Sequence, residues 1–387
     1  MTGHCLRLML FVVLLVVCVS VVNAADFVAR VSTVAGSAQM RGDANGSGTN
    51  ARFDFPYDVA LSNDGTFALI TDARNNTVRR LDLTTREVTT LAGAAGIRGR
   101  TDGTRSEARF AYPSGIALNG DGTFALIADT DNHTIRTIDI VDDEVATIAG
   151  SAGLTGSTNG SGTDARFNAP QSVVLDADGT FAIIADTDNH IIRRLDLTTR
   201  EVTTLAGQPG EVGTDDGIGS AARFAFPRGV AIDSDAQFVL IADSENHTIR
   251  RLDLTTRQVT TIVGQAGEQG VADGRGREAL LSFPRGLSIS TDGAFALIAD
   301  FSNSTIRQID LDTNNVTTVA GSPGVEGSTD SAGNTALFAN PSGLVLSSDS
   351  TFALVTDTSN HTIRQLSFVE VTPRAYLPLI SKTLRVP

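Results

Sequence analysis

The chain has 387 residues, 44 of them acidic and 30 basic, for a net charge of −14. That balance excludes a surface built to hold nucleic acid or an anionic membrane, both of which need clustered positive charge. The two cysteines, Cys5 and Cys18, both precede Ala24, so everything after that point must be held by a packed core and not by disulfides.

In chain order, Arg7 precedes the apolar run FVVLLVVCVSVV, which is followed by VNA at 22–24. This is the pattern of a secretory leader cut after Ala24, and it stands outside fold reasoning. Without it the chain carries 29 basic against 44 acidic residues, net −15, and Lys382 is its sole lysine. No later apolar run approaches the about 20 residues that a spanning helix needs. The expected mature protein is therefore exported, to the extracellular space or the periplasm, with no membrane span.

A lone strand-like segment, VSTVAG, stands at 31–36, and a repeat begins after it. Pro56 returns as Pro113, Pro170, Pro227, Pro284 and Pro341, at a constant interval. Asp64 and Phe67 recur with the same step, so six copies run without insertion or deletion. Within the third copy, VVL reads as a short strand and DADG as a turn. FAIIAD is a second strand, DTDNH a second turn, IIRRLDL a third strand and TTRE a third turn. VTTLAG, rich in β-branched residues, is the fourth. A long loop, rich in Gly, Ser and Asx, leads to the next copy. Four short antiparallel strands per repeat predict an all-β fold, a six-bladed β-propeller. The sixth copy lacks its VTTLAG, so VSTVAG is expected to pair into blade six and close the ring, removing the sheet edges. The expected boundaries are 1–24 for the leader, 25–370 for the ring and 371–387 for a tail containing AYLPLI.

Asp129, Asn132 and His133, followed by Ile135 and Arg136, resemble the NHL repeat, named for Asn-His-Leu. The Pro113-Ser114-Gly115-Ile116 start of the copy and the Asp-Gly turn also match. Thr134 stands at the family's leucine position, and His133 is replaced by Asn76 in the first copy and Ser304 in the fifth. The resemblance covers about residues 27–370 and implies the six-bladed ring. It implies function only loosely, because such rings serve as protein-binding or RNA-binding modules and a few six-bladed relatives are enzymes.

The repeated polar residues are read as scaffold. Asp72, Asp129, Asp186, Asp243, Asp300 and Asp357, with Asn132 and His133 in the second copy, are expected to tie the second turn. Ring symmetry spreads the four histidines of the repeats, where a metal needs ligands within about 2–2.6 Å of one point. The repeated arginines, Arg136 among them, are expected to pair with these aspartates. The Asx series Asn45, Asp102, Asn159, Asp216, Asp273 and Asp330 is expected to form turns. No metal site, catalytic residue or cofactor is expected, with a divalent cation such as Ca2+ the alternative.

Recognition should instead use positions that the blades do not share. After the lead proline stand Tyr57, Ser114, Gln171, Arg228, Arg285 and Ser342, expected to ring one mouth of the channel. That mouth, the second turns and the long loops should share one face. The expectation is a monomeric binding scaffold that takes a protein, peptide or glycan there, with an anionic group at Arg228 and Arg285. The alternative is a metal-dependent six-bladed propeller enzyme, lactonase-like or lyase-like, with its site in the channel.

Overall fold

The computed structural model describes residues 27–370; the leader at 1–24 and the tail from 371, including AYLPLI, lie outside the described residues. Residues 28–369 form six antiparallel sheets around a central channel. Blade two shows the pattern. Pro113–Leu118 lies innermost, followed outward by Phe124–Asp129, Thr134–Asp139 and Glu144–Gly150. The long loop before it adds a minimal fifth strand, Gly103–Thr104, on the outer edge. That strand is too short to leave a sequence pattern, and it covers an edge that would otherwise template foreign pairing.

The ring closes through the N-terminus. Phe27–Gly36 is the outermost strand of the sheet that also holds Pro341–Leu346, Phe352–Asp357 and Thr362–Glu370. Here the fifth strand is reduced to a single bridge, Arg30 to Ala332. Val34 and Ala35 then pack with Leu354 and Ile363 of blade six and with Phe53, Val59 and Ile70 of blade one. Each of the six apolar clusters likewise joins neighbouring blades, so no blade buries its faces alone.

The third strand of a blade meets the fourth across a recurring irregularity. In blade two, Ile135 faces Ala149 but Arg136 faces Thr147, so Ile148 is an extra residue on the outer strand. A bulge of this kind frees a backbone group and re-aims its neighbours. The freed Thr147 N–H donates to Asp102 in the preceding long loop. Among the described residues no helix is long and apolar enough to cross a membrane.

Candidate ligand site at the channel mouth

The second turn of each blade is a single 3-10 turn, Thr130–Asn132 in blade two, closed by His133 in the left-handed conformation at φ 58°. Asp129 before it is fully buried. Its carboxylate accepts from the backbone N–H of Ala111 at 2.7 Å, from Asn132 Nδ2 at 2.7 Å and from Arg136 Nη1 at 2.8 Å. Burial pushes Asp129 up to about 6, against the pull of the Arg136 guanidinium. The same frame recurs at Asp72, Asp186, Asp243, Asp300 and Asp357.

The arginine of each frame is almost wholly buried. Arg136 lies over the Phe110 ring, 5.1 Å from its centroid, and Arg79, Arg193, Arg250 and Arg364 lie over Phe53, Phe167, Phe224 and Phe338. Its second nitrogen reaches the loop Asx: Arg136 meets Asp102 at 2.6 Å and Arg79 meets Asn45 at 2.9 Å. The Asx also accepts from a threonine of the fourth strand, Thr147 in blade two. The series Asn45 to Asp330 thus clamps each buried arginine to the outer strand, where the sequence suggested only turns. Thr33 of the N-terminal strand makes the same bond to Asp330 at 3.0 Å, so ring closure reuses it.

The histidine position works between blades. His133 Nδ1 accepts from the backbone N–H of Ala169 at 3.0 Å, in the next blade. His190, His247 and His361 do the same for Phe226, Phe283 and Phe55. In the two copies without histidine, Asn76 Oδ1 and Ser304 Oγ accept from Tyr112 and Asn340. What the position requires is an acceptor. Burial lowers all four histidines below their ordinary range, keeping the ring neutral. The residues held this way precede the lead prolines and are all left-handed, from Phe55 at φ 64° to Ala169 at φ 48°. Such a conformation costs a non-glycine residue about 1–3 kcal/mol, and the bond from the previous blade offsets it.

These strained residues border the mouth, where the unrepeated positions part company. Ser114 and Ser342 are buried in the blade wall, Ser114 accepting from Thr130 Oγ1 at 2.8 Å. Tyr57, Gln171, Arg228 and Arg285 converge. The Tyr57 hydroxyl, from blade one, donates to Gln171 Oε1 of blade three. Arg228 donates to the same oxygen at 3.4 Å and lies 3.6 Å from Glu245. Arg285 packs against Phe301, with its guanidinium carbon 3.3 Å from the ring centroid, and lies 5.6 Å from that of Tyr57. Tyr112 completes the group, its ring 6.2 Å from Tyr57, and burial raises its hydroxyl to about 12, so it stays protonated.

Beneath this group lies a cavity of about 360 Å³, walled by Val59, Ile116, Val173, Val230, Leu287 and Leu344 from the six inner strands. Two carboxylates line it, Asp58 and Asp176, and Asp58 accepts from the backbone N–H groups of Val59 and Ile116. Burial raises Asp58 to about 7. Sequence reasoning passed over Asp58, although a signal existed: its counterparts are Gly115, Ser172, Gly229, Gly286 and Gly343. Gly343 explains the space, because a Cβ there would fall 2.4 Å from Asp58 Oδ1. Among the described residues no three His, Cys, Asp or Glu side chains are placed to hold a metal ion.

A closed ring of six sheets with a tyrosine-capped channel defines the class: a six-bladed β-propeller. Its blades are similar to NHL repeats, and the ring resembles the NHL-repeat propellers. The NHL repeat profile matches residues 224–252. The chain is 29% identical over 297 residues to NHL repeat-containing protein 2 of Homo sapiens, covering 69% of this chain and 40% of that one. It is 30% identical over 285 residues to SUPPRESSOR OF QUENCHING 1, chloroplastic, of Arabidopsis thaliana, covering 57% and 27%. The chain thus spans well under half the length of these relatives. An auxiliary nutrient binding protein from Bacteroides thetaiotaomicron shares the fold, with TM-score 0.67 at 16% identity over 88% of this chain and 77% of that one.

Proposed function

We propose that this propeller is an exported binding module that takes a protein, peptide or glycan on its loop-rich face. The observation that carries the reading is the break in symmetry at the mouth. A scaffold that repeats its aspartates and arginines six times gathers Tyr57, Gln171, Arg228 and Arg285, which it does not repeat, on one face. Loops on a rigid scaffold are the usual place for recognition.

The loop tips support the reading. Equivalent tip positions hold Val325, Met40, Ile97 and Leu154 in four consecutive loops, each about half exposed. The remaining two loops carry exposed Glu211 and Glu268. Val212 and Val271 are exposed in those two loops as well, so every long loop offers an apolar side chain to a partner. The Bacteroides protein, described as nutrient binding, offers a precedent for such a ring as a binder.

The test compares the ring with a mouth variant, Tyr57→Ala with Arg228→Ala, and with an opposite-face variant, Asn63→Ala with Asp178→Ala. All three are applied to peptide and glycan arrays. Binding by the ring that is lost only in the mouth variant supports the reading; absent binding, or equal loss in both variants, overturns it. Export is tested separately by N-terminal sequencing of the expressed chain, which should begin at Ala25.

A further inference from the structure

The six repeated arginines are buried, and each has a carboxylate on its Nη1. Arg285 is different. It is largely buried against Phe301 and Tyr57, and among the described residues it makes no ion pair. Its Nε, like that of each repeated arginine, is buried with no hydrogen-bond partner, so what sets Arg285 apart is the missing carboxylate. Its basic neighbour is Arg228, whose link to half-exposed Glu245 is long, at 3.6 Å. The two terminal nitrogens of Arg285 bond to no group of the chain and reach solvent at the mouth, where an anion would gain charge-assisted hydrogen bonds. Burial lowers the pKa of Arg285, with Arg228 adding to the effect.

We propose that the mouth holds a carboxylate on Arg285, carried by a cyclic organic acid, either a uronic acid or an aromatic acid, whose ring lies among Tyr57, Tyr112 and Phe301. This rests on the binding reading above and names the ligand's chemistry. Ring contacts on the guanidinium leave its N–H edge as the polar surface. A planar carboxylate fits that edge with two parallel hydrogen bonds. Charge favours a monoanion, because the acidic surface of the protein opposes a more highly charged ligand. The aromatic side chains supply stacking area for a ring.

The chain has three tyrosines and no tryptophan. Two of the three, Tyr57 and Tyr112, stand in the mouth, so tyrosine emission reports the site directly. Purified protein is titrated with glucuronate and with benzoate. Methyl glucoside and benzamide serve as neutral partners of the same shapes, and sulfate as an inorganic anion. Emission and calorimetry are both followed. The expected result is saturable binding of at least one acid, at least tenfold tighter than its neutral partner and than sulfate. Arg285→Met should weaken it at least tenfold with an unchanged melting temperature. Whichever acid binds identifies the body. Equal binding of acid and neutral partner, equal binding of sulfate, no binding of either acid, or full binding by a folded Arg285→Met overturns the proposal. Should Arg285→Met fail to fold, Arg285→Lys keeps a charge but loses the two-pronged edge and must also weaken the acid. A negative result here leaves the array experiment to judge the binding reading separately, because a neutral ligand at the same mouth would still be lost in the mouth variant.

Discussion

Arg136 and Asp129 are the smallest unit on which the ring depends. Both are buried and tied to three strands or loops at once. Removing one member of such a pair leaves an uncompensated buried charge, at a cost of about 3–5 kcal/mol. Arg136→Ala should lose that much in urea unfolding, whereas Arg98→Ala, whose partner Asp131 is exposed, should lose about 0–1 kcal/mol. A loss under about 1 kcal/mol for Arg136→Ala would contradict the assignment. Asp58 gives the opposite case. Its pKa is raised to about 7, so the folded chain holds a proton that the unfolded chain releases from about pH 4 upward. Ionised Asp58 therefore weakens the fold as pH rises through that window. Asp58→Asn should raise the melting temperature at pH 8 and leave it nearly unchanged at pH 4. An equal shift at both values would mean that ionisation is not the cause.

At the scale of elements, the blades are held to each other by a histidine acceptor, and that sets a pH dependence. The histidines are lowered in the fold. Their contribution is complete above the ordinary value of about 6.5 and is lost as pH falls below it. The six buried aspartates, raised to about 6, act in the other direction, gaining stability as pH falls from about 6 toward 4. The raw curve sums the two, so a difference is needed. A variant with Asn at 133, 190, 247 and 361, copying Asn76, should become progressively more stable relative to the parent between pH 7 and pH 5. Parallel urea midpoints would refute the acceptor role. Ring closure is also an element-scale property. A chain lacking residues 25–36 loses the outer strand of blade six and the Val34 and Ala35 packing. It should aggregate on gel filtration, and a synthetic 25–37 peptide should restore the elution position of the parent; failure of the peptide would mean that the strand does more than close the edge.

At the scale of the whole molecule, the architecture was legible because one period governs it. The constant step from Pro56 to Pro341 gives blade number and closure, and the missing VTTLAG in the sixth copy shows which strand completes which blade. The converse rule, to look where copies differ, nominated six positions, of which Tyr57, Gln171, Arg228 and Arg285 come together while Ser114 and Ser342 are buried in the wall. Contacts between distant positions were not legible. Nothing local in ARF announces that Phe110 will lie beneath Arg136, which belongs to the third strand after it. The equivalence of His, Asn and Ser at one position emerges only when the N–H it serves, in the next blade, is in view. Asp58 stayed hidden because its neighbour Gly343 lies five copies further along the chain and yet adjacent in the ring.

The closing strand has one further consequence, for orientation. Phe27–Gly36 ascends toward the loop-rich face, and Thr362–Glu370 descends beside it from that face. Both ends of the ring therefore leave on the far side, next to one another. A tether placed on either of these two strand ends leaves the mouth pointing outward. Protein coupled through a cysteine introduced at Val369, exposed at the end of the last strand, should expose the Arg285 site in full, while protein coupled through a cysteine introduced at Ile97 should have it shaded by the support.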